Sequence, residues 1–231
     1  MKRYQNPFRT LTRSEWLILI GSLFAVTLSF VLNTERDTLT FIATLIGVVA
    51  LIFLAKGDVL GQALIVIFAV LYAIVSWRLR YYGEVITYVG MSAPIALISV
   101  VSWLRHPSAS GHNEVEIAHV KARTWCVLVF LTVAVTLAFY FLLRHFGTAN
   151  LIPSTISVAT SFFAASLTFL RSPYYGLGYA ANDVVLILLW VLASVQDVKY
   201  LPMVLCFVTF LVNDLYGFFN WRRILARQKA D

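Results

Sequence analysis

The sequence predicts an all-α fold, a polytopic membrane helix bundle of about eight spans, and three observations carry the prediction. Eight apolar runs follow one another, each near the roughly 20 residues a helix needs to cross about 30 Å of hydrocarbon. Charged residues make up 13% of the chain, half of the roughly 25% usual for soluble domains. The charges that remain gather between the runs, where topology determinants sit. None of the runs alternates apolar and polar residues in the manner of a transmembrane barrel strand. With 231 residues, eight helices and short connections leave no room for a separate soluble domain.

In chain order, the first run is Trp16–Leu32, preceded by the basic residues Lys2, Arg3, Arg9 and Arg13. No small-x-small cleavage site follows it and further spans begin within a few residues, so it reads as a retained helix and not as a signal peptide. The second and third runs, Thr38–Ala55 and Val59–Trp77, are divided by the turn Ala55-Lys56-Gly57. Run four, Val85–Leu104, contains Pro94, which should kink it where neighbouring helices re-satisfy the backbone. The stretch Arg105–Thr124 is rich in Pro, Gly, Ser and charges and reads as a solvated cytoplasmic linker. Beyond it lie Trp125–Leu143, Leu151–Leu170, Leu177–Val195 and Tyr200–Trp221.

Eight spans place both termini, and the loops after runs two, four and six, on one side. Thirteen of the eighteen basic residues fall there, including Lys56, Arg105, Lys121, Arg123, Arg171, Arg222, Arg223, Arg227 and Lys229. Only Arg36, Arg78, Arg80, Arg144 and Lys199 fall on the other. By the positive-inside rule both termini are expected in the cytoplasm. A weak repeat flanks the linker: runs two to four have a turn at Lys56 and end at Trp103, and runs six to eight have a turn at Arg171 and end at Trp221. Run five restores direction between them, so the two three-helix units should be parallel, one of the standard plans of transporters. The expected organisation is 1–37 (N-terminal segment and extra helix), 38–104 (first unit), 105–150 (linker and connecting helix), 151–221 (second unit) and 222–231 (tail).

The net charge of +7 flanks apolar segments, where it meets anionic lipid headgroups. It forms no nucleic-acid stripe. Cys126 and Cys206 lie in separate apolar runs without metal-site spacing and read as small apolar fillers. His106, His112 and His119 in the linker are six and seven residues apart, which fits no helix-face metal site. No HExxH, Walker or G-x-S-x-G motif occurs, so neither an enzyme nor an ATP-driven pump is indicated. No cofactor is expected.

An ionisable residue inside a span is costly and marks function by default. Two lie deep, Asp183 and Asp214, each preceded by asparagine: Asn182-Asp183 and Asn213-Asp214. Tyr175, Tyr179, Asn182, Asp183, Leu186 and Trp190 recur at helical steps, as do Thr209, Asn213, Tyr216, Gly217 and Asn220. Two such faces on adjacent helices would form a half-polar slot for a small solute bearing a flat ring and hydroxyls. The competing reading is that the amides only fasten helices together. In the first unit Glu84, Tyr88 and Gln62 are further candidates, with Tyr72 able to face the same cavity. Glu84 also stands near an interface, where hydration or pairing with Arg80 would account for it.

Several patches in order resemble the PnuC-type nicotinamide riboside transporters: the AKG turn at 55–57, YYGEV at 81–85, APIALISVVSW at 93–103, the Arg171 turn, YAAND at 179–183 and LVNDLYGFFNW at 211–221. The resemblance covers about residues 40–221. It implies one extra helix plus three, one and three helices, as in the SWEET sugar transporters. It also implies uptake of a vitamin- or nucleoside-like solute by facilitated diffusion across the inner (cytoplasmic) membrane, with a cytoplasmic kinase trapping the solute. Self-association is left open. Carried over by position, it points to Tyr88, Tyr179, Asn182, Asp183 and Asn213. Two departures stand out: the run after Arg171 is Ser172-Pro173-Tyr174-Tyr175-Gly176, and Tyr88 replaces an asparagine common in relatives. Thiamine, riboflavin and deoxyribonucleosides therefore stay beside nicotinamide riboside as solutes. A proton-coupled carrier using Asp183 or Asp214, and a non-transporting receptor or subunit, are the rival functions.

Overall fold

The computed structural model describes residues 6–33, 37–78, 81–109, 113–148 and 150–230, apart from the side chain of Lys199. Lys2, Arg3, Arg36, Arg80 and His112 lie outside the described residues, and so does any pairing of Glu84 with Arg80. Eight helices long and apolar enough to cross a membrane are present among the described residues: α1 (Arg13–Leu32), α2 (Thr38–Ala55), α3 (Val59–Arg78), α4 (Tyr82–Arg105), α5 (Ala122–His145), α6 (Leu151–Phe169), α7 (Tyr175–Gln196) and α8 (Leu201–Gln228).

Local chemistry sets several helix ends. Thr12 and Glu15 form a capping box at the start of α1, with the Thr12 amide donating to Glu15 Oε2 at 2.7 Å. The buried Glu15 carboxylate also meets Lys56 Nζ at 3.2 Å, tying α1 to the turn after α2. Asp37 caps α2 by accepting from the amides of Leu39 and Thr40, satisfying donors that a helix N-terminus leaves bare. Pro94 does perturb α4, and the form is specific. Residues Tyr88–Ser92 make a π-helical turn, with the Ala93 amide donating to the Tyr88 carbonyl just before the proline. Such turns insert one extra residue and recur at functional sites.

Two elements differ from the sequence reading. Helix α8 runs on to Gln228, well past Trp221, a length of about 42 Å at 1.5 Å per residue. Its last turns leave the apolar layer and bind the linker. The linker is solvated only in part: Arg105, His106, Pro107, His119 and Lys121 are exposed, while residues 113–118 dock on the bundle. Val115 and Ile117 are buried. The Val115 amide donates to the Gly57 carbonyl at 2.9 Å, and the Ala118 amide to the Arg171 carbonyl at 3.0 Å. Gln228 reaches in from α8 to accept from the Ile117 amide and to donate to the Val115 carbonyl. Glu114 pairs with Arg227, and Arg171 with Glu116. The composition of the segment advertises exposure, but extended backbone can be satisfied by turns and side chains that only the fold assembles.

Helices α2 and α3 pack as a hairpin, as do α6 with α7 and α7 with α8. Helix α2 also packs on α8, and α4 on α6, so the first helix of each half meets the last helix of the other. At one end of the bundle this crossing is reciprocal in detail. Trp221 on α8 donates through Nε1 to the Leu54 carbonyl at 2.9 Å, and Trp103 on α4 donates to the Thr168 carbonyl at 3.1 Å. Leu54 and Thr168 each stand three residues before a left-handed residue, Gly57 (φ 70°) and Arg171 (φ 56°). Counted from the two tryptophan acceptors, the left-handed residues Gly57 and Arg171 hold the same position in their turns, and Lys56 stands one residue earlier. Helix α1 lies against α2 and α8, and α5 chiefly against α6. Outer faces of both carry exposed apolar side chains, among them Leu17, Phe24, Phe130 and Phe141, as lipid-facing helices must.

Candidate functional site

Five carboxylate residues are buried among the described residues: Glu15, Asp58, Glu84, Asp183 and Asp214. No Lys, Arg or His is. Three of the five, Glu84 on α4, Asp183 on α7 and Asp214 on α8, lie in the apolar layer, where each needs a reason to be present.

Neighbouring residues on a helix point about 100° apart, and this separates each Asn-Asp pair. Asn182 turns to α6: its Oδ1 accepts from Thr160 and Ser161 at 2.9 Å each and from Ser157 at 3.4 Å. Asn213 turns to α1, donating to Ser22 Oγ at 3.0 Å and to its own Thr209 carbonyl at 2.8 Å. Both amides thus fasten helices. The contacts of each amide run to a neighbouring helix, Asn213 Oδ1 being buried without a partner, and the residues that meet across the α7–α8 interface are the aspartates. Asp183 and Asp214 hydrogen-bond each other across the α7–α8 interface. A hydrogen bond between two carboxyl groups requires one proton between them, and like charges at that separation cannot both ionise. Gly176 sets the spacing: a Cβ there would stand 2.5 Å from the Asp214 carbonyl oxygen and 2.7 Å from the Phe218 nitrogen.

The acids are set in aromatic rings from both halves. Tyr88, the first residue of the π turn, packs on Tyr72 of α3 with ring centroids 4.3 Å apart. It lies close to Glu84 and Asp183. Trp190 of α7 donates to the Tyr72 hydroxyl at 3.2 Å and stacks against Tyr81 at 4.9 Å. Phe68 and Phe207 close the box around Tyr72. Two carboxylate oxygens of the cluster, Glu84 Oε2 and Asp183 Oδ2, are buried without a hydrogen-bond partner in the protein. Such an oxygen costs on the order of 1–3 kcal/mol, more when charged, and invites a donor from a solute. Acceptors from two halves of the bundle, aromatic faces between them, and no buried basic group among the described residues make this the candidate binding site.

Other sequence candidates fall around it. Tyr179 is half-buried and near both aspartates, with a side-chain hydrogen bond to Thr168. Tyr175 is fully buried toward the clasped end, 4.5 Å from the Trp221 ring, with its hydroxyl seated over Gly217. Gln62 is buried on α3, ten residues and so about 15 Å from Tyr72 along the helix, and does not join the cluster around Tyr88. The sequence reading missed Tyr81, Phe68 and Phe207. The repeated Asn-Asp dipeptide was the available signal for the aspartate pair.

The amides' role gives a first expected result. Asn182→Ala should lower the stability of the purified protein by about 1–3 kcal/mol, since it strands buried hydroxyls of α6. Solute affinity should change less than threefold. A tenfold loss of affinity at unchanged thermal stability would place Asn182 in the site instead.

An eight-span bundle with a buried acidic and aromatic cluster shared between its halves fits a carrier of small solutes through a membrane. The sequence match extends this. The chain belongs to the family described as nicotinamide mononucleotide transporter, which matches residues 37–223. A nicotinamide riboside transporter PnuC of Neisseria mucosa is 27% identical over 219 residues, 93% of this chain and 82% of the relative. The protein of the same name from Haemophilus influenzae is 24% identical over 196 residues, covering 84% of each. The crystal structure of the vitamin B3 transporter PnuC superposes with a TM-score of 0.83 and 26% identity over 94% of both chains.

Proposed function

We propose that this chain carries nicotinamide riboside across the inner (cytoplasmic) membrane by facilitated diffusion, with a cytoplasmic kinase phosphorylating and so trapping the solute. The observation that carries the solute assignment is the charge of the site. Nicotinamide riboside is a pyridinium cation with ribose hydroxyls. Its ring suits the faces of Tyr72 and Tyr88, a cation–π contact worth up to about 2 kcal/mol when desolvated. Its charge and hydroxyls suit the unpartnered oxygens of Glu84 and Asp183. The mononucleotide in the family description adds a phosphate, and no buried Lys or Arg stands among the described residues to meet it. The riboside is favoured over the mononucleotide on that ground, and over neutral riboflavin on the same ground.

The test is uptake into sealed proteoliposomes lacking any kinase. Nicotinamide riboside should equilibrate without accumulating and without a proton gradient. Its reduced, neutral dihydropyridine form and the mononucleotide should each compete at least tenfold more weakly. Accumulation that an uncoupler collapses would favour the proton-coupled rival, and equal competition by the neutral form would remove the cation argument.

We further infer that residues 38–104 and 151–221 are related parallel units, supported by the reciprocal tryptophan bonds and paired left-handed residues, with 1–37 the extra helix, 105–150 the linker and connecting helix, and 222–231 the tail. The clasped end gathers the first described residues, the linker and the α8 terminus, and the basic bias assigns this end to the cytoplasm. A cysteine at Gln228 should resist impermeant labelling in intact cells and label after permeabilisation; labelling in intact cells would invert the topology.

A further inference from the structure

Two cavities on the outer surface of the second half share a wall. One, of about 430 Å³, runs between α5, α6 and α7 and is lined almost wholly by carbon, with Phe163, Leu167, Leu177 and Ala181 along it. The other, of about 510 Å³, lies at the clasped end among His119, Ser172, Arg222 and Lys229. Trp125 and Tyr174 line both, their rings 5.9 Å apart. The pair of cavities is therefore one groove, apolar along the helices and basic where the helices end.

Charge decides its occupant. No acidic residue among those described lines the basic cavity, and neither Arg222 nor Lys229 forms an ion pair with a described carboxylate. Arg222 instead lies over the Phe218 ring at 5.7 Å, an arrangement that positions the guanidinium without neutralising it. The neighbouring cavity at the same end is different: Lys56 and Arg227 there already pair with Glu15 and Glu114. Unpaired Arg and Lys beside a tryptophan–tyrosine belt suit a phosphate at headgroup depth, and the apolar run suits an acyl chain descending from it.

We propose that this groove holds one anionic glycerophospholipid, its phosphate between Arg222 and Lys229 and one chain lying under Trp125 along α5, α6 and α7. The bound chain fills the outer side of α7 at Gly178 and Ala181, backing the helix that carries Asp183, and braces α5, whose protein contacts are otherwise chiefly with α6. The inference does not depend on which solute is carried.

Protein purified in mild detergent from membranes containing phosphatidylethanolamine and phosphatidylglycerol, then weighed intact by native mass spectrometry, tests it. Phosphatidylglycerol should be retained at least fivefold above its share of the membrane. Replacing both Arg222 and Lys229 by Gln should return it to that share, and so should Ala181→Trp, which fills the chain groove while leaving the charges. Retention at the membrane ratio, or enrichment surviving both variants, overturns the proposal. So does equal displacement by glycerol phosphate or inorganic phosphate with Ala181→Trp without effect, which would mean a free anion site. Should the variants fail to purify as single species, thermal unfolding of the wild-type protein decides: protection by dioleoylphosphatidylglycerol and not dioleoylphosphatidylcholine is expected, and equal protection by both overturns it.

Discussion

Replacing Glu84 by glutamine is expected to weaken binding of nicotinamide riboside by about ten- to a hundredfold, the equivalent of roughly 1.5–3 kcal/mol. The substitution keeps the shape of the side chain, so the packing of α4 around its π turn is retained. It removes the ionisable group near Tyr72 and Tyr88, and it turns an unpartnered carboxylate oxygen into an amide that cannot carry the charge a bound cation would favour. The neutral dihydropyridine analogue should lose less than threefold, so the preference for the charged ring collapses. Asp183→Asn should be milder for the cation, because the Asp183 carboxyl already shares a proton with Asp214 across α7 and α8. Binding measured by calorimetry on monodisperse protein checks both, and an unchanged affinity in Glu84→Gln would move the site away from α4.

Gly176→Ala is expected to be among the most damaging single-methyl changes in the chain. The added carbon would meet backbone atoms of α8, the Asp214 carbonyl oxygen at 2.5 Å and the Phe218 nitrogen at 2.7 Å. Backbone cannot swing aside as the end of a side chain can, so α7 and α8 must separate. Overpacking of this kind costs about 1–3 kcal/mol, and the separation also pulls Asp183 from Asp214, leaving two buried carboxyls without each other. Uptake should fall at least tenfold and the thermal transition should drop. Gly21→Ala is the control: nothing lies within 4 Å of the new carbon, and it should behave as wild type. Equal behaviour of the two variants would show that α7 and α8 do not need this approach.

The bundle was legible because membrane solvent writes itself into sequence. Lipid accepts only helices with satisfied backbones and apolar surfaces, so the runs Thr38–Ala55 and Leu151–Leu170 announced α2 and α6 almost to the residue. The basic bias carries the expectation that both termini share one side. The resemblance carried the family and directed attention to α4, α7 and α8. Asp183, Asp214 and Glu84 were found because a carboxylate among apolar residues stands out whatever the fold.

What sequence left open was direction around the helix axis. Asn182 and Asp183 are adjacent in the chain, yet one faces α6 and the other α8, and only the packing of three helices says which amide is fastener and which acid meets its partner. Phe68 and Phe207 read as ordinary apolar bulk until α3 and α8 bring their rings against Tyr72. The linker looked solvated because its residues are polar; its backbone finds partners at Gly57, Arg171 and Gln228, which lie far from it in the chain. Composition and periodicity report the solvent each residue prefers, and that determined the spans and the costly acids. Which groups touch across helices depends on rotation and close approach, set by contacts such as Gly176 on Asp214, and that was decided by the tertiary structure alone.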